Sequence, residues 1–370
     1  MKNQPRLWYI DNLRIFLIGL VVLHHLAITY GAPGSWYYNE SQAGPPEVLP
    51  LAMFVATNQS FFMGMFFFIS AFFIFPSLNK KGVSRFLGER LMRLGIPLLF
   101  FYFILSPISV FIVNRYIHNQ DISLSDYLLN AYGAGFGPMW FVEALLLFTF
   151  LFLLLKSFIS GISLSFPGTG KIIGAAIAIG LLQFVIRIWL PVGWSMPFTN
   201  FQFPFFVQYI VMFVLGIVAW QNKWLEQISV KSAKRWFLFS QFLIFIGFPA
   251  MFILGGAAES GSEPFMGGLT WQNFSYAVWE QLLGFSLIAA LPGLFKRYFN
   301  SQGNLARLLS GSAYAVFIIH TFILVAVSSI FVAWQAPQLV KLIGLAPLVL
   351  VVSFLIASLL HKIPVLNKIL

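Results

Sequence analysis

LRIFLIGLVVLHHLAITYG, residues 13–31, decides how this chain is read. It is about as long as a helix must be to cross a bilayer, roughly 20 apolar residues. Only Arg14, His24 and His25 interrupt its apolar character. Similar runs recur along the 370 residues and place spans near 12–30, 52–75, 93–113, 139–156, 172–190, 204–220, 236–254, 273–293, 311–332 and 343–361. They are too long and too continuous for barrel strands, so the spans are helices. The expected fold is an all-α polytopic membrane bundle of about ten transmembrane helices. Polar connections are too short to build a core of their own, so 1–370 reads as a single integral-membrane domain with no separate soluble domain.

Composition agrees. The chain is 59% hydrophobic and 9% charged, with a mean hydropathy of +0.86, whereas soluble domains carry roughly 25% charged residues. With no cysteine there is no disulfide, thiolate metal site or cysteine nucleophile. The net charge of +11 raises the question of nucleic acid, and its distribution answers it. If the side holding Lys2, Arg6 and Arg14 is called inside, all but three of the 22 Lys and Arg residues fall there. The exceptions are Arg115, Arg187 and Lys341. That asymmetry predicts both termini in the cytoplasm and makes the basicity topological, with no nucleic-acid partner. The first run is long for a cleaved signal peptide, and removing it would break the charge pattern, so it is retained as a span.

Ionisable residues inside a membrane are costly and therefore functional candidates. Arg14 and His25 are eleven residues apart. Eleven steps of about 100° return to nearly the same helix face, roughly 16 Å along the axis. His25 is a candidate general base, since imidazole titrates near neutrality, and His24, about 100° away, is a supporting residue. Glu143 lies one turn after Trp140 at a depth similar to His25 and is the candidate carboxylate to orient it. Glu280 is held in reserve for the same role. Arg90 and Arg93 share a face at the start of the third span, where two guanidiniums and a helix N-terminus suit phosphate. Arg14 at the same level is either part of that clamp or a structural anchor. His320, mid-span in the ninth helix, reads as a packing or hydrogen-bonding element. Arg187 reads as an interfacial anchor that could contact an acidic acceptor, and it is one candidate for the cation that a succinyl carboxylate would want. His118 and His361 fall in loop or interface positions. No metal-ligand spacing such as HExxH, no phosphate loop and no GxSxG elbow is present.

In their order along the chain, WYIDNLRIFLIGLVVLHH, FFMGMFFFISAFF, ERLMRLGIPLLFF, GPMWFVEALLLF and SAYAVFIIHTF resemble the integral-membrane acyltransferase-3 family. The closest likeness is to its branch associated with glucan succinylation, the periplasmic-glucan "protein C" type. The arginine-to-histidine spacing matches at Arg14 and His25, and the RxxR motif at Arg90 and Arg93. The chain departs from the family pattern at Ala71, Pro138-Met139 and Thr321-Phe322. The resemblance implies a ten-helix enzyme of the bacterial inner membrane that binds no permanent cofactor. It would take an acetyl- or succinyl-class acyl group from cytoplasmic acyl-CoA and deliver it to a carbohydrate hydroxyl on the outer side. His25 is then the catalytic base, and Arg90 and Arg93 help hold the CoA phosphates. The rival reading is a transporter or flippase for an anionic or lipid-linked sugar, since membrane His, Glu and Arg also build ion paths. The sequence leaves open the acyl group, the acceptor and the oligomeric state.

Overall fold

The computed structural model describes residues 6–130, 135–257 and 261–369, so Lys2 lies outside the described residues. Among those residues there are ten helices long and apolar enough to cross a membrane, and no strand. They are α1 (Trp8–Thr29), α2 (Val48–Lys81), α3 (Val83–Ile117), α4 (Gly137–Ile159), α5 (Thr169–Arg187), α6 (Phe203–Gln221), α7 (Val230–Leu254), α8 (Trp271–Tyr298), α9 (Asn304–Ile330) and α10 (Gln338–His361). Each of the ten spans read from the sequence falls on one of them. The largest difference is at the α2–α3 junction, where helix continues through Lys80, Lys81, Arg85 and Arg90. Hydropathy marks only the lipid-embedded turns, whereas backbone hydrogen bonding continues beyond them. At that junction Lys81 and Arg85 both pair with Glu89.

The ten helices form two layers. Neighbours bury 56–78% of the apolar stretch of α1, α2, α6, α8 and α9, but only 17–39% of that of α3, α4, α5, α7 and α10. The first group is the core of the bundle, and the second presents Leu, Ile and Phe side chains outward, as a lipid-facing layer should. Without a hydrophobic drive between helices in lipid, close packing relies on small residues. A Cβ on Gly216 of α6 would meet the Phe68 carbonyl of α2, and one on Gly284 of α8 would meet the Ser60 carbonyl of α2.

Two irregularities bear on the site. Helix α3 contains three π-helical turns, Leu91–Gly95, Phe101–Leu105 and Val113–Ile117. Pro97 brings no N–H to the Arg93 carbonyl one turn back, and the Tyr314 hydroxyl of α9 donates to that carbonyl at 2.8 Å. On the opposite face, the loop 30–47 between α1 and α2 is pinned at several points. Lys341 Nζ pairs with Glu40 Oε1 at 2.6 Å, and the Tyr30 hydroxyl donates to Ser328 Oγ at 3.3 Å. The Glu47 carboxylate accepts the first N–H of α10, from Gln338, at 3.1 Å, capping a helix end that attracts negative charge.

Candidate functional site

Two features separate along the bundle axis. The first is a basic cluster on the face where α1 begins. Arg14 lies over the Phe73 ring at 5.1 Å and 3.5 Å from Asp11, which Arg6 also engages at 2.7 Å. Arg90 lies over the Phe86 ring at 5.3 Å. Arg14, Arg90 and Arg93 are within electrostatic reach of one another. The structure therefore brings together the three arginines singled out from sequence. Asp11 offsets part of their charge, and the surplus is positive. The Tyr314 hydroxyl stands in the same cluster, a participant with no sequence signal beyond its place in α9.

The second feature is a cavity of about 1190 Å³ that reaches the opposite face. α1 contributes His24 and His25 to its wall, α4 contributes Trp140, and the loop 30–47 contributes Trp36 and Tyr37. Gln59, Asn200, Gln202, Phe205 and Tyr276 line it as well. Among the described residues that line it there is no Asp, Glu, Lys or Arg.

Two contacts from outside α1 hold the His25 ring, which also meets the Val21 backbone of its own helix. The Trp36 indole stacks on it, with centroids 3.7 Å apart and planes 14° from parallel. Its Nδ1 lies 3.1 Å from Nε2 of His320. His320 is wholly buried, and its Nδ1 is 2.7 Å from the Phe317 carbonyl oxygen. A carbonyl only accepts, so His320 Nδ1 carries a proton. In a neutral ring Nε2 is then bare and accepts. His25 Nδ1 must therefore be the donor, which leaves His25 Nε2 with its lone pair free. The ring that carries this lone pair lines the cavity. This is the tautomer a general base needs.

The remaining candidates sort as follows. Glu143 makes no hydrogen bond to the His25 ring, and its Oε2 is buried without a hydrogen-bond partner. The ring paired with His25 belongs to His320. Glu280 pairs with Arg187 at 2.7 Å, both wholly buried, and accepts from Gln183 at 2.5 Å. Gln281 and Gln208 extend this network toward the Ser60 carbonyl. Arg187 lies over the Phe205 and Tyr276 rings, at 4.9 and 5.6 Å, so it stands behind the cavity wall and not in it. His24 packs on Phe62, with centroids 5.1 Å apart, and its Nδ1 is buried without a partner. Trp140 stacks on Tyr209 at 5.4 Å. His361 lies at the end of α10, and His118 is exposed after α3. Among the described residues no three His, Cys, Asp or Glu side chains converge as a metal site would need. Trp36 was not legible in advance. It sits in GAPGSWYYNE, where an aromatic among turn residues carries no sign of what it will cover.

A family model described as an acyltransferase domain, that of the acyltransferase-3 family, matches residues 7–362. The chain belongs to this family and is an integral-membrane acyltransferase. No curated protein and no solved structure matches it.

Proposed function

We propose that this acyltransferase takes an acyl group from acyl-CoA at the basic face and transfers it to a carbohydrate hydroxyl entering the cavity from the opposite face. The observation that carries the reading is the His25–His320 pair, whose hydrogen bonds leave one nitrogen of a cavity-lining imidazole unprotonated. In this reading the basic face is cytoplasmic and the cavity opens outside, as the Lys and Arg distribution argues, with the bacterial inner membrane as the setting. Arg14, Arg90 and Arg93 hold the CoA phosphates, for which paired guanidiniums are suited.

The chemistry follows from the free lone pair. His25 Nε2 removes the proton from the acceptor hydroxyl as its oxygen attacks the thioester carbonyl carbon. The tetrahedral intermediate collapses with cleavage of the C–S bond. The imidazolium returns its proton to the departing CoA thiolate, giving ester and free thiol. His320 holds His25 in the required tautomer and accepts a share of the positive charge, the task a carboxylate performs in a catalytic triad. The stacked Trp36 face favours the transient imidazolium through its ring quadrupole. No serine or cysteine nucleophile is required, because the acceptor attacks directly.

The test is release of free CoA thiol from acyl-CoA by the purified protein with glucan oligosaccharides, and acyl mass gain on the glycan. His25→Ala should abolish both while the protein stays folded in detergent. Near-normal transfer by that variant would overturn the proposal.

A further inference from the structure

The placement of charge around the cavity bears on which acyl group the site would accept, an inference that rests on the acyl transfer proposed above. Three Lys or Arg residues stand at the helix ends on the cavity's face: Arg115 ending α3, Arg187 ending α5 and Lys341 near the start of α10. Each is bound to a carboxylate. Arg115 pairs with Asp121 at 2.6 Å, Arg187 with Glu280 at 2.7 Å and Lys341 with Glu40 at 2.6 Å. The described cavity wall itself carries no charged side chain. An acyl group ending in a carboxylate would therefore find no cation beside His25, only neutral donors such as Gln59, Asn200 and the unpartnered Trp36 Nε1, and these offset less of an ion's lost hydration than a charged partner would. A neutral acyl group of equal length meets no such penalty.

Arg187 is the one of the three whose guanidinium stacks on rings that line the cavity, Phe205 and Tyr276. Its charge is held by Glu280, which Gln183 also engages. We propose that the enzyme selects uncharged acyl groups over dicarboxylic ones, and that Glu280 determines this selectivity by neutralising Arg187. The chain then differs in donor from the glucan-succinylating branch it resembles.

Titration of the purified wild-type protein with CoA, butyryl-CoA and succinyl-CoA tests this, because the two acyl groups match in length and differ in charge. Butyryl-CoA should bind about tenfold or more tightly than succinyl-CoA, as expected when a site lacks the partner for a polar group. Equal binding, or tighter binding of succinyl-CoA, overturns the selectivity and leaves the acyltransferase proposal standing. Failure of all three to bind defeats both. Glu280→Gln, which leaves Arg187 its charge, should shrink the ratio severalfold. An unchanged ratio in a variant that still binds CoA removes Glu280 from the role. Should that variant lose CoA binding altogether, the wild-type ratio remains the deciding measurement.

Discussion

His25 was legible from one helix alone, because an imidazole in an apolar run aligned with an arginine is anomalous locally. Its partner was not, because His320 is 295 residues away and only packing of α1 against α9 brings them together. The same limit applied to Glu143, which depth alone placed near His25 and which the structure leaves without a hydrogen bond to it. Variants at the two positions separate these roles. His320→Ala should lower kcat by roughly 10²-fold or more, since the base loses its tautomer. His320→Gln, whose amide oxygen can still accept from His25 Nδ1, should recover part of that loss. Glu143→Gln should keep kcat within an order of magnitude. A loss matching that of His320→Ala would return the orienting role to the carboxylate. With only five histidines in the chain, ¹⁵N spectra of the ring nitrogens can read the tautomer of His25 directly. His320→Ala should shift its proton population away from Nδ1.

At the level of elements, the loop 30–47 and helix α3 supply what periodicity could not show. The loop presents Trp36 to His25 and is anchored by the largely buried Lys341–Glu40 pair, whose side chains are 5% and 19% exposed. Removing one partner of a buried pair leaves the other uncompensated, at a cost of about 3–5 kcal/mol when burial is complete. Lys341→Met should therefore lower Tm and weaken transfer together. Lys341→Met combined with Glu40→Gln should restore much of the Tm. Alkali should loosen the same loop. Burial pushes the Tyr37 and Tyr38 phenols up to about 12. Both hold their protons more tightly folded than unfolded, where a phenol titrates near 10. Their contribution to stability is thus complete below about pH 10 and fades between about pH 10 and 12, which a detergent melting series against pH would register. In α3 the π turns could not be read from an apolar pattern, but their companion prolines stood in plain view. Tyr314→Phe removes the donor to the Arg93 carbonyl, a bond of about 1 kcal/mol. It should raise KM for the acyl donor a fewfold with little change in kcat.

For the whole molecule, number and position of the spans were legible because lipid imposes one requirement on every crossing segment. Which helices form the core was not, since α2 and α7 are similarly apolar, at hydropathies of 2.1 and 2.2, yet differ in buried share, 78% against 17%. The absence of native cysteine allows sidedness to be read cleanly. Ser301→Cys, between α8 and α9, and Ser195→Cys, in the cavity wall, should react with a membrane-impermeant thiol reagent from opposite sides of sealed vesicles. Labelling of both from the same side would refute the assigned topology. The axial separation of arginines and cavity predicts split salt dependence as well. If acyl-CoA is held by the arginines as proposed, added salt should weaken its binding and leave the catalytic step largely unaltered. One consequence of α9 remains. Tyr314 and His320 are six residues apart on that helix, roughly 9 Å of unbroken helix. The first touches the arginine cluster and the second touches His25, the two ends of the proposed reaction. A bilayer that thins, thickens or shears can tilt this helix, but it cannot readily change the spacing of two points on it. If the proposed transfer runs between them, the active centre carries its own ruler, and the two ends keep their alignment in a medium that has no fixed shape.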